Sequence, residues 1–413
     1  MIVNPIALTM PGDCKESLQW LIDNNIQVDS IVTDPPYELG FMGKAWDATG
    51  IAYDVDTWKL AFQVLKPGGH LLSFGGSRTY HRMACAIEDA GFEIRDQIMW
   101  IYGSGFPKSL NVSKAIDKMA GEKRKVMYTN IESKINPLRN AARIYACGLS
   151  NSWDITAPAT DAAKQWDGWG SALKPSHEPI VVARKPLDKG CNIAQNVLKH
   201  GTGGINIDGC RVSICSEDDI HKKNPHTVTK GGGLVSTGLY PNLYKVPQGR
   251  FPANIIHDGS DEVMEEFAKY GEKNGHSGVR IKAGKVSHGY NKNPTTQVDG
   301  PSYDHLNDKG TAARFFYSAK ASKTDRAGSN HPTVKPVALI QYLVRLVTPP
   351  NGIVLDMFAG SGTTGQAAIQ EGFKVILMER EPAYLQDIAT RLNSCFNKDK
   401  EEETNQYEQL ELV

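Results

Sequence analysis

The chain lacks an excess of either charge, a closely spaced cysteine pair and any long apolar run. Its 46 Lys and Arg balance 46 Asp and Glu, so bulk charge alone calls for no nucleic-acid partner. None of the seven cysteines forms a C-x-x-C pair. Cys191, Cys210 and Cys215, with His200 nearby, fit no common zinc-finger spacing, so no metal site is expected. Unpaired cysteines of this kind suit a reducing compartment. No stretch approaches the ~20 apolar residues of a membrane span. The opening Met1-Ile2-Val3-Asn4-Pro5 lacks the basic-then-apolar pattern of a secretory signal. The expectation is a cytoplasmic protein that does not engage a membrane.

What is present is unevenly placed. Residues 101–330 hold 32 Lys and Arg against 22 Asp and Glu, while the remainder holds 14 against 24. The middle is therefore basic and the flanks acidic, as a phosphate-contacting insertion in a larger fold would require. With 413 residues the chain can bury a large core and is expected to form two lobes.

The first hundred residues alternate between helix and strand: helix 15–25, strand 30–33, helix 57–65, strand 70–74, helix 80–90 and strand 92–102. Lys66-Pro67-Gly68-Gly69 stops the second helix. Such repeats predict a parallel sheet covered on both faces. Residues 103–174 and 213–310 are rich in Gly, Asn, Ser, His and Lys, with one clear strand, 179–183, between them. Regularity returns near 312 with helix 336–347, strand 352–357, a glycine loop, helix 364–371, strand 374–378 and helix 382–392. The charged tail from Asn397 is expected to be disordered.

Two motifs carry chemistry. Asp34-Pro35-Pro36-Tyr37 closes an apolar strand, and two consecutive prolines cannot continue a helix or donate to a sheet ladder. They leave an acceptor carboxylate, a backbone carbonyl and an aromatic face, a set suited to gripping a flat base through its amino group. A rigid turn is the plainer reading of the tetrapeptide by itself. In the second motif, Gly360, Gly362 and Gly365 satisfy G-x-G-x-x-G between a strand and a helix, with Glu379 ending the next strand where it can meet ribose hydroxyls. These features leave a nicotinamide enzyme and a nucleoside-cofactor enzyme both open. Asp356, just before the loop, is awkward beside a pyrophosphate and suits a cofactor carrying an ammonium, such as S-adenosylmethionine.

Asp34 to Tyr37, then His331-Pro332-Thr333-Val334-Lys335-Pro336, then Phe358-Ala359-Gly360-Ser361-Gly362 resemble the DNA amino-methyltransferases. The order, catalytic motif before cofactor motif, resembles their β group. The resemblance implies a Rossmann-like α/β sheet, circularly permuted, with an inserted irregular recognition region. It divides the chain into a catalytic half (1–104), a variable insertion (105–174), a core strand and connection (175–212), a target-recognition region (213–310), a cofactor-binding half (311–396) and the tail (397–413).

By the same resemblance Asp34, Pro35, Pro36 and Tyr37 are the catalytic set. Asp356, Phe358, Gly360 and Gly362 would line the methionine part of S-adenosylmethionine, and Glu379 would take the ribose hydroxyls. Asp13 would meet the adenine amine of the cofactor, while its plainer role is a helix N-cap. His331, Thr333 and Lys335 would close over the cofactor. The reaction implied is methylation of adenine N6 in a flipped-out base of double-stranded DNA. Cytosine N4 and an RNA substrate are the alternatives within the class, and a nicotinamide-dependent oxidoreductase is the alternative outside it. In the family, Asp at the first motif position accompanies adenine and Ser accompanies cytosine. The sequence has no Pro-Cys dipeptide, so the nucleophile of carbon-5 cytosine methylation is missing.

Lys222, Lys223, Arg250 and Arg280 are the expected DNA contacts, with Arg211 a further candidate. A second copy of the chain is a candidate partner. A sliding clamp is another, through Gln409-Leu410-Glu411-Leu412-Val413, which resembles clamp-docking peptides but has Val in place of the aromatic. A bacterial or phage-infected cell, near the nucleoid, is the setting implied.

Overall fold

The computed structural model describes residues 2–3, 6–40, 45–105, 109–131, 152–213, 249–274, 309–319, 322–326, 328–329, 331 and 333–410. The chain forms two compact units, one of residues 1–101 with 178–413 and one of residues 102–177. The described strands are β1 (Ile2–Val3), β2 (Ala7–Pro11), β3 (Val28–Thr33), β4 (Leu65–Phe74), β5 (Glu93–Ile101), β6 (Lys125–Ile131), β7 (Ser152–Ala157), β8 (His177–Arg184), β9 (Ile255–His257), β10 (Lys273–Asn274), β11 (Lys309–Gly310), β12 (Tyr317–Ser318), β13 (Ile353–Asp356) and β14 (Lys374–Glu379). The helices are α1 (Cys14–Asp23), α2 (Val55–Val64), α3 (Tyr80–Asp89), α4 (Val112–Met119), α5 (Asp161–Gln165), α6 (Ile193–His200), α7 (Asp261–Ala268), α8 (Val337–Val347), α9 (Thr363–Gln370) and α10 (Pro382–Leu410).

The larger unit is built on a sheet of order β1-β2-β14-β13-β3-β4-β8-β5-β9-β12. From β2 to β4 all neighbours run parallel. All six residues of β3 are buried, as a central parallel strand covered on both faces requires. Successive side chains of a strand point to opposite faces. Ile31 accordingly joins a core with Leu18, Leu21, Trp58, Leu71, Ile87, Leu355 and Met378. Its neighbour Ser30 instead hydrogen-bonds Thr348 at the end of α8, at 2.8 Å. One face is thus covered by α1, α2 and α3, the other by α8. In the smaller unit β6 and β7 pair antiparallel, and Asp117 of α4 accepts from the Thr160 amide and hydroxyl ahead of α5.

Four elements depart from the sequence expectation. First, β8 runs antiparallel to β4, pairing Phe74 with Ile180, so the sheet is mixed. The chain enters β8 from a long connection and not from a short crossover helix, so nothing obliges it to run parallel. Second, β4 starts at Leu65, ahead of the expected residue 70. Gly68 takes φ +78°, and the register against β3 shifts there, so Pro67-Gly68-Gly69 forms a bulge within the strand. Third, β9, which falls within 213–310, adds a strand to the main sheet beside β5. Fourth, α10 continues to Leu410, past the Asn397 where a disordered tail was expected. Residues 397–410 contain no Gly or Pro and are rich in Glu, Lys and Gln, which propagate helix.

Two further pairings matter for organisation. Val212 and Arg250 bridge antiparallel, with both amide-to-carbonyl bonds made at 3.0 and 2.8 Å. Lys273 and Asn274 of β10 pair with Gly310 and Lys309 of β11. Residues 214–248 and 275–308, between these pairs, lie outside the described residues, and with them Lys222, Lys223 and Arg280. Among the described residues no helix is long and apolar enough to cross a membrane.

Candidate active site

Because β2, β14, β13, β3 and β4 run parallel, their carboxyl ends share one edge of the sheet. The chain's progress reverses between β13 and β3: the helix after β13 leads to β14 on one side, and the helix after β3 leads to β4 on the other. In open α/β sheets such a switch point is where ligands bind. Both sequence motifs fall there. The Thr33 hydroxyl donates to Asp356 Oδ1 at 2.7 Å and ties the two strand ends together.

Around Asp34 the side chains form one charged cluster. Lys335 Nζ donates to Asp34 Oδ2 at 2.6 Å and lies 3.4 Å from Glu178 Oε2. The Tyr37 hydroxyl donates to the same Glu178 oxygen at 2.8 Å. The Thr79 hydroxyl donates to the Tyr37 carbonyl at 2.8 Å and fixes the turn after the prolines. The Lys335 ammonium also stands 4.9 Å from the Phe74 ring centroid and 5.3 Å from that of Tyr37. Asp34 Oδ1 is buried and accepts no hydrogen bond among the described residues.

Burial alone would push the Lys335 ammonium down, but the carboxylates of Asp34 and Glu178 outweigh it and hold its pKa above the ordinary lysine value. Burial, then the charges of Asp34 and Glu178, raise the Tyr37 phenol well above its usual range, so it stays a donor.

Glu178 escaped the sequence patterns. It reaches the cluster because the antiparallel β8 starts at the edge where β4 ends. Its one signal was a lone carboxylate at the mouth of the apolar run Ile180-Val181-Val182-Ala183. Lys335, expected over the cofactor, has its ammonium on Asp34.

The second motif forms the neighbouring part of the edge. Asp356 Oδ1 accepts from the Phe358 amide at 3.0 Å as well as from Thr33. Burial pushes its carboxyl up to about 6, against the hydrogen bonds from Thr364, Thr33 and the Phe358 amide. Glu379 accepts from the Gly360 amide at 2.7 Å and the Glu381 amide at 2.8 Å. Burial raises its pKa too. Gly360 has φ +51°, and a Cβ there would sit 3.2 Å from His331 Nε2. Gly362 has φ +80°, and its Cβ would sit 3.0 Å from Ile388. Both positions therefore favour glycine by conformation, and at each a Cβ would crowd its neighbour.

The His331 ring packs edge-on against Tyr384 at 4.4 Å, and burial lowers its pKa so that it is neutral at pH 7. The Thr333 amide donates to His331 Nδ1 at 3.4 Å. Asp13 caps α1 through the Lys15 amide at 2.8 Å. The preceding Gly12 amide donates to the Glu379 carbonyl at 3.0 Å, which sets Asp13 beside the same edge. Arg250 Nη1 donates to the carbonyls of Arg314 at 2.9 Å and Ser213 at 3.2 Å.

This donor set discriminates between cofactors. The amides of Phe358, Ala359, Gly360 and Gly362 are already bonded to Asp356, Met378, Glu379 and Ala359, so they are not left to cradle a phosphate. Two carboxylates flank the loop instead. That fits a cofactor offering an ammonium and hydroxyl groups, as S-adenosylmethionine does, and fits a dinucleotide poorly.

The sequence comparisons with known proteins agree on the class. Over 353 residues the chain is 24% identical to the type II methyltransferase M.HindIII of Haemophilus influenzae, covering 84% of this chain and 72% of that protein. Over 73 residues it is 42% identical to the DNA adenine methyltransferase YhdJ of Escherichia coli, covering 18% of this chain and 25% of the relative. Among solved structures, the cytosine-N4-specific PvuII DNA methyltransferase aligns with a TM-score of 0.40 at 15% identity, covering 95% of this chain and 92% of that one. The sequence profile of the N6/N4 DNA methylases matches residues 28–391, taking in both motifs and the sheet that joins them, and the chain belongs to that family of S-adenosylmethionine-dependent DNA methyltransferases.

Proposed function

We propose that this enzyme methylates the exocyclic N6 of adenine in a base flipped out of double-stranded DNA. The observation that carries the reading is the buried, unpartnered Asp34 Oδ1 at the switch point. A buried acceptor left without a partner costs about 1–3 kcal/mol, and an amino group delivered to it removes that cost. Asp at this position favours adenine over cytosine in the family, and the relative YhdJ is named for adenine.

An exocyclic amino nitrogen is a weak nucleophile because its lone pair is delocalised into the ring. Asp34 Oδ1 and the Pro35 carbonyl accept its two hydrogens and draw it toward tetrahedral geometry, which frees the lone pair. Pro36 holds the turn, and the Tyr37 ring stacks on the base, a contact worth ~1–3 kcal/mol. S-adenosylmethionine supplies a methyl group activated by its sulfonium. Asp356 and Phe358 hold its methionine part where Gly360 and Gly362 allow close approach, Glu379 takes the ribose hydroxyls, and Asp13 the adenine amine. His331 and Thr333 cover it from the segment ahead of α8. Catalysis is then positioning plus electrostatics.

Nucleoside analysis of DNA from a methylation-deficient host expressing the chain tests the base assignment. N6-methyladenine is the expected product, and N4-methylcytosine in its place overturns the assignment.

A further inference from the structure

We propose that Glu178 is a positioning residue for methyl transfer, taking the Lys335 ammonium from Asp34 when the target amino group arrives while it holds Tyr37 in place. The inference rests on Asp34 as the acceptor of that amino group. In the structure Lys335 pins Asp34 Oδ2 at 2.6 Å, and the charge of that ammonium draws on the carboxylate and weakens its open Oδ1 as an acceptor for the incoming amino group. Lys335 is 8% exposed, so it cannot retreat into solvent without breaking the core around it. A buried charge needs a buried counter-ion. Among the described residues, Asp34 and Glu178 are the carboxylates within ion-pair distance of Nζ, and Glu178 stands 3.4 Å away. A small shift of one side chain therefore exchanges partners without ever leaving the cation alone.

The same Glu178 oxygen takes the Tyr37 hydroxyl. The residue that receives the ammonium thus also anchors the ring expected to stack on the base. Charge points the same way. Asp34, Glu178 and Lys335 together carry one net negative charge, which matches the positive charge that passes from sulfur to the amino nitrogen during transfer. Other groups facing the cluster are Tyr37, which stays protonated, His331, which is neutral at pH 7, and Asp356 across Thr33. None of these replaces Glu178 beside Nζ.

The test uses the full chain, saturating labelled S-adenosylmethionine and unmethylated genomic DNA, in single-turnover assays. Glu178→Gln keeps an acceptor for the Tyr37 hydroxyl and removes the charge. It should slow transfer by about tenfold or more, since misplacing a reacting group costs on that order, with cofactor affinity by calorimetry unchanged. Glu178→Asp should restore most of the rate. The slowing should persist in a Tyr37→Phe background.

A wild-type rate in Glu178→Gln overturns the proposal. So does a loss that disappears once Tyr37 is Phe, since Glu178 would then serve Tyr37 alone. If Glu178→Gln does not fold, Glu178→Asp carries the test, and a rate that is lost in that variant counts against the proposal. Asp34→Ala separates the two layers. Retained turnover there defeats the underlying assignment, whereas a dead Asp34→Ala beside an unaffected Glu178→Gln defeats this inference alone.

Discussion

Asp356, proposed above to hold the methionine part of the cofactor, sits where charge is costly. Burial holds its carboxyl at about 6, while the ammonium of S-adenosylmethionine calls for the carboxylate. The sign follows directly: above about pH 6 the carboxylate is present and cofactor binding is independent of pH. Below it, binding must first expel a proton, and affinity falls as the pH drops. Calorimetry from about pH 5 to 8 should show this break, with proton release on binding in the acid range. Asp356→Asn should abolish the break and weaken binding by about 2 kcal/mol, roughly 30-fold, the scale of a hydrogen bond to a charged group. Asp34→Ala should behave in the opposite manner, losing methyl transfer while cofactor affinity stays within about twofold; turnover in that variant would remove Asp34 from catalysis. Asp34, Asp356 and Glu379 were legible in the sequence because each follows an apolar strand that the pattern identifies. Glu178 occupies a matching place, at the start of a strand, but its relevance depends on strand direction, which no local pattern encodes.

Among the elements, α10 does more than cover the sheet. Arg391, 1% exposed, donates from Nε to the Ser361 carbonyl at 2.9 Å, from one terminal nitrogen to Gln366 at 2.7 Å and from the other to the Asp325 carbonyl at 2.8 Å. One guanidinium therefore fixes the glycine loop, the first turns of α9 and the segment leading to His331. Asp387, one turn earlier, accepts from Ser329 at 2.5 Å and braces that segment again. Arg391→Met should destabilise the protein by about 3 kcal/mol, because two carbonyls and an amide oxygen lose their buried donor. It should also weaken cofactor binding, and urea denaturation with parallel calorimetry checks both. An unchanged denaturation midpoint would mean that water substitutes for the guanidinium. Helices and long strands were readable because they repeat apolar positions over many residues. Ile255-Ile256-His257 was not, since three residues between Asn254 and Asp258 offer too short a pattern; only partners distant in sequence make them a strand.

For the molecule as a whole, the basic middle of the sequence is not a detachable block. Removing 213–310 would take β9 and α7 with it, and the expected result is loss of the folded sheet, seen as loss of cooperative thermal unfolding. The pairing of Val212 with Arg250, and of β10 with β11, marks better boundaries. Replacing 214–248, or 275–308, by a short Gly/Ser linker should leave cofactor affinity intact and reduce DNA affinity and its salt dependence, as expected if Lys222, Lys223 and Arg280 meet phosphates. Equal DNA affinity in both replacements would move recognition elsewhere, with the unit of residues 102–177 the next place to look. Charge distribution revealed that the middle differed from its flanks, but not where the sheet continued through it, because net charge reports composition and not pairing.

Two segments that leave and return at hydrogen-bonded neighbours can be exchanged at their bases while every strand order and every active-site distance stays fixed. Should replacement of either segment lower DNA affinity as predicted, recombination between related genes at those four points would transplant target preference without touching methyl-transfer chemistry. The two properties would then be free to evolve at different rates within one chain.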